Sequence, residues 1–373
     1  KEAQKHFEGN FQGKGSGYNQ YKRWEYFALK DADQNNSINW RNQADIEVIK
    51  FKQKTRLKGH SFINKKKNLW TELGPTVRNP TSSWNPGLGR IECISVDPFN
   101  SEHILAGAPS GGVWSTLDGG SSWTPLTDHL STLDILAASI SPHNNQIYLI
   151  GTDKGIYKSN DGGLNWNKIT STKIVRVKPD PQNSNIVMAC GTYGIFRSTD
   201  GGNSFSSVSN KQSLDLEYHP TNSNIVYASG NKFLKSTNNG LSFSEISGPS
   251  GTYSRLAVSN AEPNSVWLTT TNGNEFGNLY KSTNSGTSFT SIHTSSVDYF
   301  EKYGWYGIDI AVSNENPNLI YTGGMELYRS TDGGNNFSLY VPWIYYNAGP
   351  KYIHADIHSL EWADGTLYTG TDG

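Results

Sequence analysis

Short runs of alternating apolar and polar residues, each followed by a glycine-rich turn, recur along most of the chain. Ile94-Ser95-Val96-Asp97-Pro98, Gly155-Ile156-Tyr157-Lys158 and Gly194-Ile195-Phe196-Arg197 are examples. A period of two marks half-buried strands, and the Gly, Pro and Asp residues between them mark tight turns. The turns share one pattern: Ser or Thr, any residue, Asp or Asn, a glycine pair or its equivalent, then an aromatic. It spans Thr116 to Trp123, Ser159 to Trp166, Ser198 to Phe205, Ser236 to Phe243, Ser282 to Phe289 and Ser330 to Phe337. Successive starts lie 43, 39, 38, 46 and 48 residues apart, a period that suits one four-stranded propeller blade.

This pattern predicts an all-β fold, a seven-bladed β-propeller over 68–373. Each repeat reads as inner strand, second strand, third strand, turn and outer strand. Leu69 to Leu73 matches an outer strand with no turn before it, and is expected to complete the last blade and seal the ring. His354 to Gly373 supplies the inner strands of a seventh blade that is incomplete within this sequence, so more chain is expected after 373. The turn residues Asp118, Asp161, Asp200, Asn238, Asn284 and Asp332 are expected to be structural. A short Asp or Asn side chain caps a tight turn through its own backbone, and Asn in two repeats does what a catalytic acid could not.

Charge divides the chain. Residues 1–67 hold 15 Lys/Arg against 7 Asp/Glu, and residues 68–373 hold 17 against 26. The first segment is therefore expected to be a basic extension docked on an acidic propeller. A short helix is expected around Lys1 to Phe11, with Trp24, Tyr26, Phe27 and Trp40 as anchors. No nucleic-acid motif accompanies the charge, so no nucleic-acid partner is expected. No apolar run approaches membrane-spanning length, and no signal-peptide pattern opens the sequence. Cys93 and Cys190 fall in different repeats and read as small buried hydrophobes rather than a disulfide.

Candidate chemistry lies at the propeller centre. Counting back eight positions from each inner-strand turn proline, with Asp364 standing in for the seventh, gives Arg90, Asp134, Lys173, Gln212, Arg255, Asp309 and Asp356. These polar residues are expected to ring the channel mouth, as solvated lining or as a ligand site. Asp134, Asp309 and Asp356 are the carboxylates that could run hydrolysis if paired at about 5–10 Å. His354, Asp356 and His358 would share one face of a strand, a donor set suited to a divalent metal, with Asp372 close by. Tyr299 to Tyr306, with Trp343, Tyr345 and Tyr346, form either a sugar-stacking surface or blade-to-blade core.

The repeated turns resemble the Asp-box (BNR) repeats of sialidases, xyloglucanase-type glycoside hydrolases and sortilin-like propellers, over 69–373. A closer resemblance is to large secreted Bacteroidota propeller proteins exported by the type IX secretion system. It rests on Gly15 to Tyr18 with Lys22 to Glu25, on Gly304 to Ile308, and on His354 to His358. The resemblance implies a secreted or cell-surface location and contact with that secretion machinery. Xyloglucanase-type enzymes carry a catalytic Asp in the first blade's second turn, where this chain has Pro109. Sialidases need three convergent Arg residues; Arg90 and Arg255 share the counted register, Lys173 interrupts it, and Arg176 is off register. The expectation is a glycan- or protein-binding adhesion module, with a glycoside hydrolase as the alternative.

Overall fold

The computed structural model describes residues 89–343 and 352–373, all within one compact unit, Thr71–Gly373. The expectations for 1–67, the sealing strand Leu69–Leu73, Tyr345 and Tyr346 fall outside the described residues. The described chain is all β, a propeller of six four-stranded sheets and a two-stranded seventh. Strands within every sheet are sequential and antiparallel, as a meander with short connections requires. The innermost strands, in blade order, are Cys93–Asp97, Ile135–Ser141, Arg176–Pro179, Asp215–Tyr218, Ser254–Val258, Asp309–Val312 and Ser359–Ala363.

Blade seven abuts blade one. The Ile91 amide donates to the Thr371 carbonyl at 2.8 Å, and Ser101 Oγ donates to Asp364 at 2.8 Å. At Gly370 an added Cβ would lie 2.8 Å from the Ile91 carbonyl oxygen, so the residue at this joint must be small.

Each repeated turn is held by the same three hydrogen bonds. In blade two, Ser159 Oγ donates to Asp161 at 2.8 Å and accepts the Gly163 amide at 2.9 Å. Asp161 Oδ1 then accepts the Asn165 amide at 2.9 Å. In blade four, Asn238 takes the same place, accepting from Ser236 at 2.9 Å and from the Ser242 amide at 3.0 Å. Asn284 repeats this in blade five. The hydroxyl or amide four residues on is the main cause that lowers the Asp118, Asp200 and Asp332 carboxyls to about 2. Asp161 is lowered in the same way. Positive φ falls on Gly in most of these turns, and on Asn239 and Ser285 in the two Asn-bearing ones.

The aromatic that closes the turn packs into the space between blades. Phe205, Phe243, Phe289 and Phe337 each join a buried cluster, and Trp166 packs with Tyr148. All five are partly buried, so truncation to Ala costs less than the about 3–5 kcal/mol of a fully buried aromatic. Trp123, its counterpart in blade one, is 40% exposed. Cys93 and Cys190 are buried free thiols, and burial raises both, Cys93 to about 12.

Candidate functional site

The channel contradicts the counted register. In blades three and four the turn proline lies five residues after Arg176 and Asp215, but in blades five and six it lies eight after Arg255 and Asp309. Ser259 and Ser313 start the turn in those later blades, with the proline displaced. The true register follows the paired second strand. Val187, Val226, Val266 and Ile320 each stand eleven residues beyond Arg176, Asp215, Arg255 and Asp309. Arg255 and Asp309 are thus channel residues. Arg90, Asp134, Lys173, Gln212 and Asp356 precede their inner strands and lie at the mouth where those strands begin.

The channel charges are engaged with one another and with the backbone. Asp215 accepts from Arg176 Nε at 3.0 Å and from the Leu216 and Leu256 amides at 3.0 and 2.9 Å, tying blades three, four and five. Asp309 accepts the Ile310 amide at 2.9 Å and the Leu360 amide of blade seven at 2.7 Å. Arg255 donates to the Leu214 carbonyl at 2.9 Å. One layer along, Lys178 pairs with Glu217 at 2.7 Å, with Glu361 nearby. Burial raises Asp309 to about 6 against the pull of Arg176, and raises Glu361 to about 7 against the pull of Lys178. Burial also opposes ionisation of Asp215, but Arg176 and Arg255 outweigh it and hold this carboxyl low. Asp309 thus ties blade six to blade seven through the Leu360 amide. Arg176 and Arg255 share one register and both act on Asp215, while Arg90 lies apart at the mouth.

The mouth carries the other cluster, where blades six, seven and one meet. Arg90 lies over the Tyr306 ring, 4.6 Å from its centroid, and hydrogen-bonds the Glu92 carboxylate. Tyr306 donates to Asp372 at 2.9 Å, and His358 Nε2 lies 2.8 Å from the other Asp372 oxygen. Arg90 Nη2 faces His358 Nδ1 at 3.4 Å, on the side of the ring away from Asp372. His358 is 4% exposed and meets Tyr306 edge-on at 4.9 Å.

Asp356 sits beside this network in a left-handed conformation, φ 66°. Hydrogen bonds on both sides clamp its backbone there: Ile357 N to Gly324 O at 2.6 Å, and Asp372 N to Ala355 O at 3.3 Å. Its Oδ1 is buried with no hydrogen-bond partner among the described residues. Burial, then the Asp372 charge, raises its carboxyl above the usual range. A clamped, strained residue with an unsatisfied oxygen is the kind of feature that collects at functional sites.

The expected metal triad does not form. Residues 353–358 are not a strand, so the alternation that would align His354, Asp356 and His358 is absent. Among the described residues no three His, Cys, Asp or Glu side chains gather to hold a metal. Asp134 accepts from Ser110 at 2.9 Å, on the side of blades one and two. Lys173 lines an open hollow of about 610 Å³ with Asp153 and Tyr193. Gln212 is exposed before blade four. The aromatic insertion divides: Tyr299 and Phe300 are buried at 5% and 0%, whereas Tyr303 and Trp305 are 44% and 56% exposed.

No protein-family profile matches the chain. No curated protein is similar to it. Solved structures confirm the fold class, a β-propeller. An ancestral GH74 enzyme superposes with a TM-score of 0.63 at 18% identity, covering 79% of this chain and 45% of that one. The GH74 xyloglucanase from Xanthomonas campestris gives 0.57 at 17% identity, covering 76% and 51%. This chain thus spans about half the length of these two enzymes. YCF48 from Cyanidioschyzon merolae gives 0.56 at 15% identity, covering 79% and 96%. YCF48 has also been solved bound to D1 peptide, and that structure gives 0.54 at 16%. At these identities the likeness is one of fold.

Proposed function

We propose that this chain is an extracellular or cell-surface binding module that engages a glycan or protein at the mouth formed by blades six, seven and one. The observation that carries this reading is Asp356: clamped, strained and unsatisfied beside Arg90, Tyr306, His358 and Asp372, with an exposed Trp305 packed on Tyr306. Two of the stretches behind the resemblance to exported Bacteroidota propellers, Gly304–Ile308 and His354–His358, meet here. The Asp-box kinship and the type IX export route belong to the same proposal. Propellers of this shape include a peptide-bound YCF48 and GH74 enzymes, so a binding role and a carbohydrate role are both compatible with the fold. A glycan array and a partner pull-down with the purified chain test it. Binding is expected for the wild type and loss of about tenfold or more for Asp356→Asn or Trp305→Ala. Binding unchanged by both variants would move the site elsewhere.

A second reading is hydrolysis, favoured by the pair Asp356 and Asp372. Asp372 accepts from a Tyr hydroxyl and meets an imidazole and Arg90, whereas Asp356 has its carboxyl raised, and two neighbouring carboxyls in unlike surroundings are what acid–base cleavage needs. Polysaccharide turnover that disappears in Asp356→Asn, measured by reducing-sugar release, is the expected sign. Turnover that survives the substitution removes Asp356 from that role.

A further inference from the structure

A groove lies on the same mouth, between blades four and five. Two elements grow taller there than their counterparts. The third strand of blade five, Glu275–Ser282, has eight residues where the other blades have four or five. The outer strand of blade four, Ser244–Ser250, has seven where the others have two to four. Between them runs an open groove of about 730 Å³. Its lining is amide and hydroxyl: Asn231, Asn272, Asn278, Thr252 and Ser295, with Tyr280 beside them. Lys232 is the charged lining residue.

The groove and the Asp356 cluster are joined by one segment, residues 294–308, which links blade five to blade six. Asp298 fastens its base, accepting the Phe276 amide at 2.7 Å, the Phe300 amide at 3.0 Å and the Lys302 amide at 2.7 Å. Gly304 donates to the Asn274 carbonyl of the tall hairpin at 2.9 Å. A Cβ at Gly304 would lie 2.7 Å from that oxygen, so only glycine allows the approach. Buried Tyr299 and Phe300 anchor the segment in the core, and Tyr306 delivers its far end to Asp372. Tyr303 and Trp305, both exposed, lie between the two ends. The segment is thus a fixed aromatic crest with a polar groove at one end and a hydrogen-bonding cluster at the other.

We infer that the mouth binds one continuous, neutral polysaccharide chain, with subsites in the blade-four/five groove, on the Trp305 crest and at Asp356. This rests on the binding role proposed above and names its ligand class. Uncharged amides and hydroxyls offer both donors and acceptors, which match sugar hydroxyls rather than a phosphate, a carboxylate or an apolar side chain. Exposed Trp and Tyr faces suit the apolar faces of pyranose rings. Asp356 is a partly buried carboxyl at the far end of this path, an acceptor for a hydroxyl donor.

The test is affinity electrophoresis through amylose, laminarin, mannan and xylan, followed by titration with oligosaccharides of increasing length from the one that retards the protein. Asn231→Ala/Asn272→Ala changes two exposed residues and leaves the core untouched. It is expected to lower affinity for long oligosaccharides about tenfold or more and to leave the shortest bound ones unchanged. Trp305→Ala is expected to weaken both. The inference is overturned if no neutral polysaccharide retards the protein, or if the groove variant keeps full affinity at every chain length. A partner protein captured by the wild type and lost in Trp305→Ala would also overturn the sugar class, while leaving the mouth as the binding site.

Discussion

Asp215 in the channel and Asp356 at the mouth are both carboxylates at the entrance to an inner strand, but their surroundings differ. Asp215 has Arg176 on one oxygen and backbone amides from two blades on both, and its charge is held. Asp356 has a positive φ, an oxygen without a partner and a carboxyl raised by burial and by Asp372. Arginine does not repeat the contrast: Arg255 reaches across to a neighbouring blade's backbone and Arg90 spreads over a tyrosine, yet each keeps a buried Nε without a partner among the described residues. Residue type therefore does not separate structural from functional charge in a propeller. For the two carboxylates saturation does: a group whose hydrogen-bonding capacity is used within the ring has none left for a ligand.

The largest expected effect is on the channel. Asp215→Ala leaves Arg176 and Arg255 without their shared carboxylate and the Leu256 amide without its acceptor. Breaking a buried pair on one side costs about 3–5 kcal/mol, which chemical denaturation would register as a large fall in midpoint with little change in slope. A loss under about 1 kcal/mol would mean that the channel is wet enough to screen its charges, and the contrast with the mouth would fail.

The next effect is pH dependence. Asp309 is raised from 3.8 to about 6 and Glu361 from 4.5 to about 7, so the folded state holds protons that the unfolded chain has released across those ranges. Stability from these groups is full below pH 4 and declines as pH rises through 7. Asp215 works oppositely: its carboxyl is lowered, so its contribution is present above 3.8 and disappears in stronger acid. Thermal unfolding is expected at its highest near pH 4–5, with a Tm lower by about 2–4 °C at pH 8 for each kcal/mol lost. Glu361→Gln should flatten that decline. A Tm that rises from pH 5 to 8 would contradict the assigned burial of Asp309 and Glu361.

How much of this was legible follows from which interactions are local. The turns were, because each is closed within eight residues and its hydrogen bonds join only residues of that turn. Blade number and order followed from their spacing. The channel register was not legible from proline, because that residue moves within the turn between blades four and five while the turn itself starts at the same place. The buried second strand, Val226 or Val266, marks the same place in both and would have led to Asp215 and Arg255. An alternating charge pattern, Arg176 and Lys178 followed a repeat later by Asp215 and Glu217, was a further signal. The mouth was half legible. Asp356, His358 and Asp372 stood out, but their assembly depends on Tyr306 and Arg90, separated from them by tens to hundreds of residues. A left-handed Asp356 then undoes the strand alternation that the motif suggested.

Arg90→Ala gives the smallest expected effect on stability and the sharpest use of the comparison. Its side chain is 29% exposed, and Glu92 and Asp372, its carboxylate neighbours, are 20% and 25% exposed. Water can therefore replace much of what the guanidinium supplies, and His358 and Tyr306 still hold Asp372. The expected loss is about 1 kcal/mol, well below that of Asp215→Ala, because a partly exposed pair is screened where a buried one is not. The same substitution uncovers the Tyr306 face and removes the cation beside Asp356, so ligand affinity should fall further than stability does. Denaturation and binding measured on one preparation give both numbers. If Arg90→Ala unfolds the protein as readily as Asp215→Ala, the mouth cluster is another strut between blades, and the binding site must be sought among groups that the fold leaves unsatisfied elsewhere.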